Sequence, residues 1–127
     1  MVKKIKIFTM VKDEHDIVES WLKYHGNLFG YKNIYVIDNF SNDGTYEILL
    51  KYKKEHNIFL IREKDYKKKG IYLKHLIKDR IKEYFELAFP IDIDEFLVLY
   101  NKNLNTINCN NIIKYIESLP KDIPVFK

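Results

Sequence analysis

Apolar residues recur along this chain with two alternating periods. Residues 4–11 are rich in β-branched and apolar types, which predicts a strand entering a core. Residues 14–29 change to helical spacing, with one apolar stripe opposite polar side chains. That stripe consists of Ile17, Val18, Trp21, Leu22, Tyr24, Leu28 and Phe29. Gly30 follows directly and is predicted to cap the helix.

The next stretch repeats the alternation of strand and helix. Apolar runs at 33–38 and 58–62 predict a second and a third strand. Between them, residues 44–56 predict a helix with Asp43 as its N-cap and Asn57 as its end. Its predicted apolar face consists of Tyr46, Leu49, Leu50 and Tyr52.

The second half of the chain predicts a long helix after the polar loop 63–70, and then a strand. The apolar stripe of this helix consists of Leu73, Ile77, Ile81 and Tyr84. Residues 87–92 predict the strand, and Pro90 cannot donate to a ladder, so the strand lies at an edge or is irregular there. A last helix ends before Pro120, and residues 123–127 resemble the start of another strand. This helix has its stripe at Ile112, Ile116 and Leu119 and its candidate caps at Asn108 and Asn110.

Strands that alternate with helices of this length predict an α/β fold. The expected architecture is a three-layer sandwich, Rossmann-like, with a mostly parallel sheet covered on both faces. The chain has 127 residues and no repeat or linker, so it is predicted to be one domain spanning residues 1–127.

Composition narrows the classes of function. The net charge of +4 comes from 22 basic and 18 acidic residues that are mixed along the chain. Arginine occurs only at Arg62 and Arg80, which argues against a nucleic-acid reader, because Arg is the usual contact to guanine edges. The single cysteine, Cys109, excludes an internal disulfide and a multi-cysteine metal site and favours a reducing compartment. With no signal-peptide pattern and no run of roughly 20 apolar residues, we expect no transmembrane segment and a cytoplasmic location.

Polar residues concentrate at the predicted carboxyl ends of the strands, where open α/β sheets bind ligands. They are Lys12, Asp13 and Glu14 after the first strand, Asp38 and Asn39 after the second, Arg62 after the third, and Asp92, Asp94 and Glu95 after the fourth. The pattern predicts a ligand site at this edge of the sheet.

The last of these groups places three carboxylates in four positions of an otherwise apolar run, FPIDIDEFLVL. Like charges this close repel one another and resist desolvation unless a cation neutralises them. Mg²⁺ and Mn²⁺ prefer oxygen ligands and commonly bind one or two carboxylates plus substrate phosphates. We therefore predict a divalent metal at Asp92 and Asp94. The alternative is that both are exposed charges at a strand end.

Three other loops allow a binding and a structural interpretation. In the run DNFSNDGT, the carboxylate of Asp38 is suited to accept hydrogen bonds from a base or ribose, whereas residues 41–43 are better explained as a turn and helix cap. Residues 12–14 either contact the ligand or begin the first helix. The loop lysines, Lys64, Lys67, Lys68 and Lys69, either approach a diphosphate or form a solvated face. Among the histidines, His25 is assigned to helix packing and the others to the surface.

With these motifs the chain resembles the GT-A glycosyltransferases of the family 2-like group, whose members carry K-N-E, W-x-x-Y-H, D-N-x-S-x-D-G-T and D-x-D-E-F in that order. The resemblance covers residues 4–99. The matching segments are KDE at 12–14, WLKYH at 21–25, DNFSNDGT at 38–45 and DIDEF at 92–96. Asp13 stands where the family usually has Asn, and Phe40 stands where Gly is common.

The resemblance implies a metal-dependent glycosyltransferase that binds a nucleotide-diphosphate sugar, with a UDP-sugar favoured. It implies Mn²⁺ or Mg²⁺ as cofactor and transfer of the sugar to an acceptor hydroxyl, usually with inversion. Asp92 and Asp94 match the metal and diphosphate motif. The full predicted nucleotide-sugar-binding set is Thr9, Lys12, Asp13, Glu14, Asp38, Asn39, Arg62, Asp92, Ile93 and Asp94.

The family's catalytic base and acceptor site follow the metal motif, and no residue here matches that base. We therefore expect a truncated, nucleotide-sugar-binding half with its base beyond residue 127 and an acceptor that stays undefined. Truncation would also leave the last predicted strand, at residues 123–127, without neighbours. The sheet edge exposed in this way would favour self-association, so a homo-oligomer is one expected outcome. Two alternatives stay open: a nucleotide-sugar-binding module without its own turnover, and another metal-dependent nucleotide-processing enzyme, although a Gly-rich phosphate loop is lacking.

Overall fold

The computed structural model describes residues 4–83, 86–104, 106–107 and 111–119. Strands and helices follow one another in the predicted alternation, with a small hairpin before the last helix. Their bounds are β1 Lys4–Val11, α1 Val18–Phe29, β2 Ile34–Asp38, α2 Thr45–His56, β3 Phe59–Arg62, α3 Lys69–Arg80, β4 Glu86–Pro90, β5 Tyr100–Asn101, β6 Thr106–Ile107 and α4 Ile112–Ser118.

Within these described residues, β1 to β4 form one parallel sheet in the order β3-β2-β1-β4, and β5 pairs with β6 as an antiparallel hairpin. The predicted α/β class and parallel sheet are thereby confirmed. Val11, Asp38 and Arg62 lie side by side across three strands, so these strands end at the same edge. β4 is an outer strand beside β1, which is where Pro90 is tolerated.

Apolar side chains cover both faces of the sheet. On β1, Ile5, Ile7 and Val11 belong to the cluster that includes α1, α2 and α4. Phe8 and Met10 belong to a smaller cluster with α3. This period of two is expected of a strand that is buried on both sides. Helices therefore lie on both faces, which gives the three predicted layers.

The strand order fixes where a crevice forms. The chain runs from β1 to β2 on one side and later returns to the other side of β1 to form β4. The order in which strands are added to the sheet therefore reverses between β1 and β4. Open α/β sheets bind ligands at such a switch point.

The first helix begins later than predicted, at Val18 and not at residue 14. Asp13 adopts a left-handed φ of 52°. The backbone N–H groups of Asp13, Glu14 and His15 donate to side chains of the turn after β2. These tertiary bonds hold the segment as a loop, so the prediction of a helix start there was wrong.

The third helix begins at Lys69, inside the predicted loop 63–70, and it ends earlier than predicted, at Arg80, because Ile81 is already extended. The N–H of Lys82 donates to the Glu86 carboxylate at 2.8 Å, which turns the chain into β4. Tyr84, the last residue of the predicted stripe, lies outside the described residues.

Two details of α2 also differ from the prediction. Leu50 is 41% exposed, because the buried face of the helix runs through Leu49 and Tyr52. Gly44, with φ 101°, occupies the N-cap position one residue after Asp43. The Asp43 carboxylate nevertheless accepts the Thr45 N–H at 3.0 Å. The predicted ends at Gly30 and Asn57 are confirmed.

Several predictions at the end of the chain cannot be placed. Asn108, Asn110, Pro120 and residues 123–127 lie outside the described residues. Asn111 instead occupies the N-cap position of α4. The β5–β6 hairpin was not predicted. In the described part of the chain, no helix combines the length and the apolar run that crossing a bilayer requires.

Candidate functional site

The acidic residues lie in a turn directly after β4. The strand was predicted to extend to residue 92, but it ends at Pro90, and the Glu95 N–H closes a turn onto the Asp92 carbonyl at 2.9 Å. Ile91 and Ile93 are buried and anchor this turn in the core. Asp92, by contrast, projects from the turn and is exposed. Alternation of buried isoleucine and exposed carboxylate thus presents the acidic side chains at the carboxyl edge of the sheet.

The three carboxylates of this turn form a compact group. One oxygen from each of Asp92, Asp94 and Glu95 lies within 4.8 Å of the others. An all-oxygen donor set of this kind fits a hard divalent cation such as Mg²⁺ or Mn²⁺ and does not fit metals that prefer sulfur. Glu95 was left out of the predicted metal ligands, although its place in the run DIDE was the signal that could have included it. We call Asp92, Asp94 and Glu95 the acidic cluster.

Helix α1 holds the segment that carries the acidic cluster. The Trp21 indole N–H donates to the Asp92 carbonyl at 3.0 Å, and the Tyr24 hydroxyl donates to the Leu97 carbonyl at 2.7 Å. The Leu97 N–H donates to His25 Nε2 at 3.3 Å. The W-x-x-Y-H segment therefore fixes the backbone on both sides of the cluster. The helical spacing predicted only packing for these residues and did not reveal this positioning role.

His25 must be neutral to make these contacts. Its Nδ1 lies 3.0 Å from the Trp21 carbonyl, so Nδ1 carries the proton and Nε2 accepts from Leu97. The side chain is fully buried among aromatic rings that include Tyr24 and Phe96. Burial lowers the pKa of His25 to about 4, against a smaller opposing effect of its bond to Trp21. The predicted packing role of His25 is confirmed.

This shifted pKa predicts how stability depends on pH. The unfolded state binds a proton at His25 near pH 6.5 and the folded state only near pH 4. The free energy of unfolding should therefore fall as the pH drops through this window, by about 3 kcal/mol in total from this residue. Urea denaturation at several pH values measures this change in the free energy of unfolding. Because acidic groups also contribute, His25→Phe is the control, and its stability should depend less on pH. An equal pH dependence in both proteins would contradict the assignment.

A small polar cleft lies beside the acidic cluster at the switch point between β1 and β4. Its volume is about 140 Å³. Its lining consists of Met10, Val11, Lys12, Glu14, Lys69, Asp92, Ile93 and Asp94. The structure thus brings together five of the residues predicted to bind the nucleotide sugar: Lys12, Glu14, Asp92, Ile93 and Asp94. The remaining five predicted residues do not line this cleft.

Asp38 is one of these five, and its carboxylate is fully buried. It accepts hydrogen bonds from the Ser41 N–H at 3.1 Å and from the Ser41 hydroxyl at 2.6 Å. It also accepts from Arg62 Nε at 3.1 Å. The structural interpretation of the Ser41 turn is therefore confirmed. Contact between Asp38 and a nucleoside stays a prediction, and it would require this network to open.

The Arg62 side chain lies between the buried Asp38 carboxylate and two aromatic rings. Its guanidinium carbon lies 3.5 Å from the centre of the Tyr46 ring and 4.5 Å from that of Phe40. Phe40 adopts a left-handed φ of 52°, which is costly for an aromatic residue and is held by this packing. Asn39 is also buried, and its side-chain amide donates to the Glu63 carbonyl at 2.6 Å.

The loops after β1 and β2 are tied together. Asp13 donates its N–H to Ser41 Oγ at 2.9 Å, and its carboxylate accepts the Asn42 N–H at 2.7 Å. Lys12 Nζ lies 3.4 Å from the Asn39 carbonyl. These bonds hold one wall of the cleft in place. Thr9, by contrast, is buried with an unpaired hydroxyl among the described residues and does not line the cleft.

Lys69, which was predicted to lie in the polar loop, is the first residue of α3 and reaches the acidic cluster. Lys69 Nζ lies 2.7 Å from Asp92 Oδ1, and Lys69 lines the cleft. Lys67 and Lys68 are exposed, as the solvated interpretation predicts. In the sequence, no local signal distinguishes Lys69 from the neighbouring lysines.

Comparison with known proteins assigns no family. No protein-family model matches the chain, and no curated protein sequence matches it at a significant level.

Proposed function

We propose that the protein binds a nucleotide-diphosphate sugar with Mn²⁺ or Mg²⁺ and transfers the sugar to an acceptor hydroxyl, as a GT-A glycosyltransferase. The observation that carries the proposal is the cleft at the switch point, which Asp92 and Asp94 of the acidic cluster line together with Lys12 and Lys69. Carboxylates suit a cation, and lysines suit phosphate oxygens. A site with both charges at the carboxyl edge of a parallel sheet matches the needs of a metal-bound diphosphate.

The size of the cleft suggests which part of the donor it holds. Its volume of about 140 Å³ is smaller than the roughly 300 Å³ or more of a typical small-molecule site. We therefore assign it to the metal and the diphosphate, with the nucleoside and sugar extending beyond it.

Each charged group at this site has a distinct role in the proposal. Asp92, Asp94 and Glu95 would hold the cation, which supplies positive charge against the phosphates of the leaving nucleotide. Lys12 and Lys69 bind phosphate oxygens. The α1 contacts to residues 92 and 97 keep the acidic cluster in place, so that it does not need to reorganise during the reaction.

The second candidate is a binding module that holds the donor without turnover. The lining of the cleft favours this candidate in one respect. Apart from the carboxylates of the acidic cluster, Glu14 is the one described lining residue with a carboxylate that could act as a catalytic base. Both candidates predict the same binding behaviour. They differ in whether sugar is released or transferred from the donor.

Titration calorimetry tests the proposal. We expect UDP to bind at least about tenfold more tightly when Mn²⁺ is saturating than when a chelator is present, because the cation would link phosphate to carboxylate. ADP, GDP and CDP measured in parallel report the base preference. Equal affinity with and without Mn²⁺ would contradict the metal-diphosphate assignment. Assays for donor hydrolysis and transfer, run on the same protein, separate the enzyme from the binding module.

A further inference from the structure

We infer that Lys69 is a phosphate-binding residue that Asp92 holds when no cation is bound, and that cation binding releases it to the donor diphosphate. The inference rests on the proposed function and adds a residue that the metal-binding motif does not contain. It makes Lys69 both a competitor of the cation and a ligand of the phosphate that arrives with it.

Lys69 and Asp92 form an ion pair. Lys69 Nζ and Asp92 Oδ1 are 2.7 Å apart, a short, charge-assisted bond. The Lys69 side chain is 26% exposed, whereas the neighbouring Lys67 and Lys68 are exposed on the surface. Lys69 is thus drawn towards the cluster while its neighbours extend into solvent.

A cation would compete with Lys69 for the same oxygen. The cluster gathers three carboxylates within 4.8 Å, and the Lys69 ammonium offsets part of their repulsion. A divalent cation bound to Asp92 would offset the same charge more effectively and would repel the ammonium. The Lys69–Asp92 bond and the metal–Asp92 bond therefore oppose each other.

The cleft offers a second place for the Lys69 ammonium once the cation occupies Asp92. Lys69 lines the same cleft as Lys12, so a diphosphate bound there lies within reach of a short side-chain movement. A lysine ammonium acts as a point charge on a flexible stem, and it can change partners without the fixed planar geometry that arginine needs. The donor diphosphate therefore offers the ammonium an anionic contact in place of Asp92.

Lys69→Met tests both the competition with the cation and the binding of phosphate, because methionine keeps an unbranched stem and removes the charge. The matched control is Lys67→Met, which removes an exposed lysine two positions away. Mn²⁺ and UDP affinities are measured by calorimetry. The fluorescence of Trp21, the protein's one tryptophan, provides a second readout of Mn²⁺ binding because its N–H bonds to the Asp92 carbonyl.

The expected changes have opposite signs. Lys69→Met should bind Mn²⁺ alone about two- to fivefold more tightly, the effect expected of losing a partly exposed ion pair. It should bind UDP in saturating Mn²⁺ about tenfold more weakly, because a charged hydrogen bond to phosphate is lost. Lys67→Met should leave both affinities unchanged.

Other results would overturn the inference. Tighter Mn²⁺ binding with unchanged UDP affinity would show a counter-ion without a phosphate role. Weaker binding of both ligands, or unchanged binding of both, would show that Lys69 and the cation do not compete for Asp92. A wild-type protein that does not bind Mn²⁺ at all would contradict the proposed function itself, and the wild-type titration alone decides that point.

Discussion

Replacing Asp92 and Asp94 together by asparagine is expected to abolish Mn²⁺ binding, and with it the Mn²⁺-dependent binding of UDP, in a protein that stays folded. Cation affinity at such sites depends on the number of charged ligands, so losing two of three carboxylates should weaken Mn²⁺ binding by about a hundredfold or more. Calorimetry with Mn²⁺, and with UDP in the presence of Mn²⁺, measures both losses.

The fold should tolerate this double change. The turn is anchored by the buried Ile91 and Ile93 and by the Asp92 backbone carbonyl, which asparagine keeps. The lost ion pair to Lys69 is partly exposed and contributes at most about 1 kcal/mol, while the repulsion within the acidic cluster is relieved. The free energy of unfolding should therefore change by less than about 1 kcal/mol.

A charge-matched control separates a site effect from a net-charge effect. Glu47→Gln with Glu55→Gln removes two negative charges from the exposed side of α2. This variant should bind Mn²⁺ and UDP as the wild type does. If the control lost as much Mn²⁺ affinity as the Asp92/Asp94 variant, the effect would be one of overall charge and the assigned metal site would be wrong.

The sheet was predictable because its signal is local. Each strand is a run of apolar residues, and each helix carries a stripe at its own spacing, so the period alone separates them. The predictions failed where tertiary contacts decide the conformation. Residues 14–17 have helical spacing, but the N–H groups of Glu14 and His15 donate to side chains about thirty positions away. No window of sequence contains both partners.

The same distinction applies to the candidate site. The acidic cluster was found because charges inside an apolar run are conspicuous. Lys69 was not distinguished from the other loop lysines, because its partner is 23 positions away and its neighbours are also lysines. The contacts from Trp21 and Tyr24 were missed for the same reason, since their acceptors lie 71 and 73 positions further along. A motif thus identified the acidic residues, and only the fold revealed what holds them.

Asp38→Ala is expected to reduce the free energy of unfolding by about 2 to 4 kcal/mol, because it removes the acceptor from a buried network. The Ser41 N–H and hydroxyl lose their partner, and so does Arg62 Nε. The Arg62 side chain is 30% exposed and can gain water, which keeps the loss below that of a fully buried pair. Urea denaturation measures the change.

Arg62→Met provides the matched variant, since it removes the other half of the pair and leaves the turn at Ser41 in place. If Asp38 acts mainly by holding Arg62 and the turn, the double variant should be destabilised by less than the sum of the two single variants. Additive losses would show that the two residues do not depend on each other.

The same variants decide how Asp38 affects nucleotide binding. The turn after β2 holds the loop of residues 12–14, which lines the cleft through Lys12 and Glu14. We therefore expect Asp38→Ala to weaken UDP binding with or without Mn²⁺, and Arg62→Met to weaken it in proportion to its loss of stability. If Asp38→Ala weakened UDP binding while its free energy of unfolding stayed at the wild-type value, Asp38 would contact the nucleoside directly. A loss of UDP affinity seen only with Mn²⁺ would place its effect at the diphosphate instead.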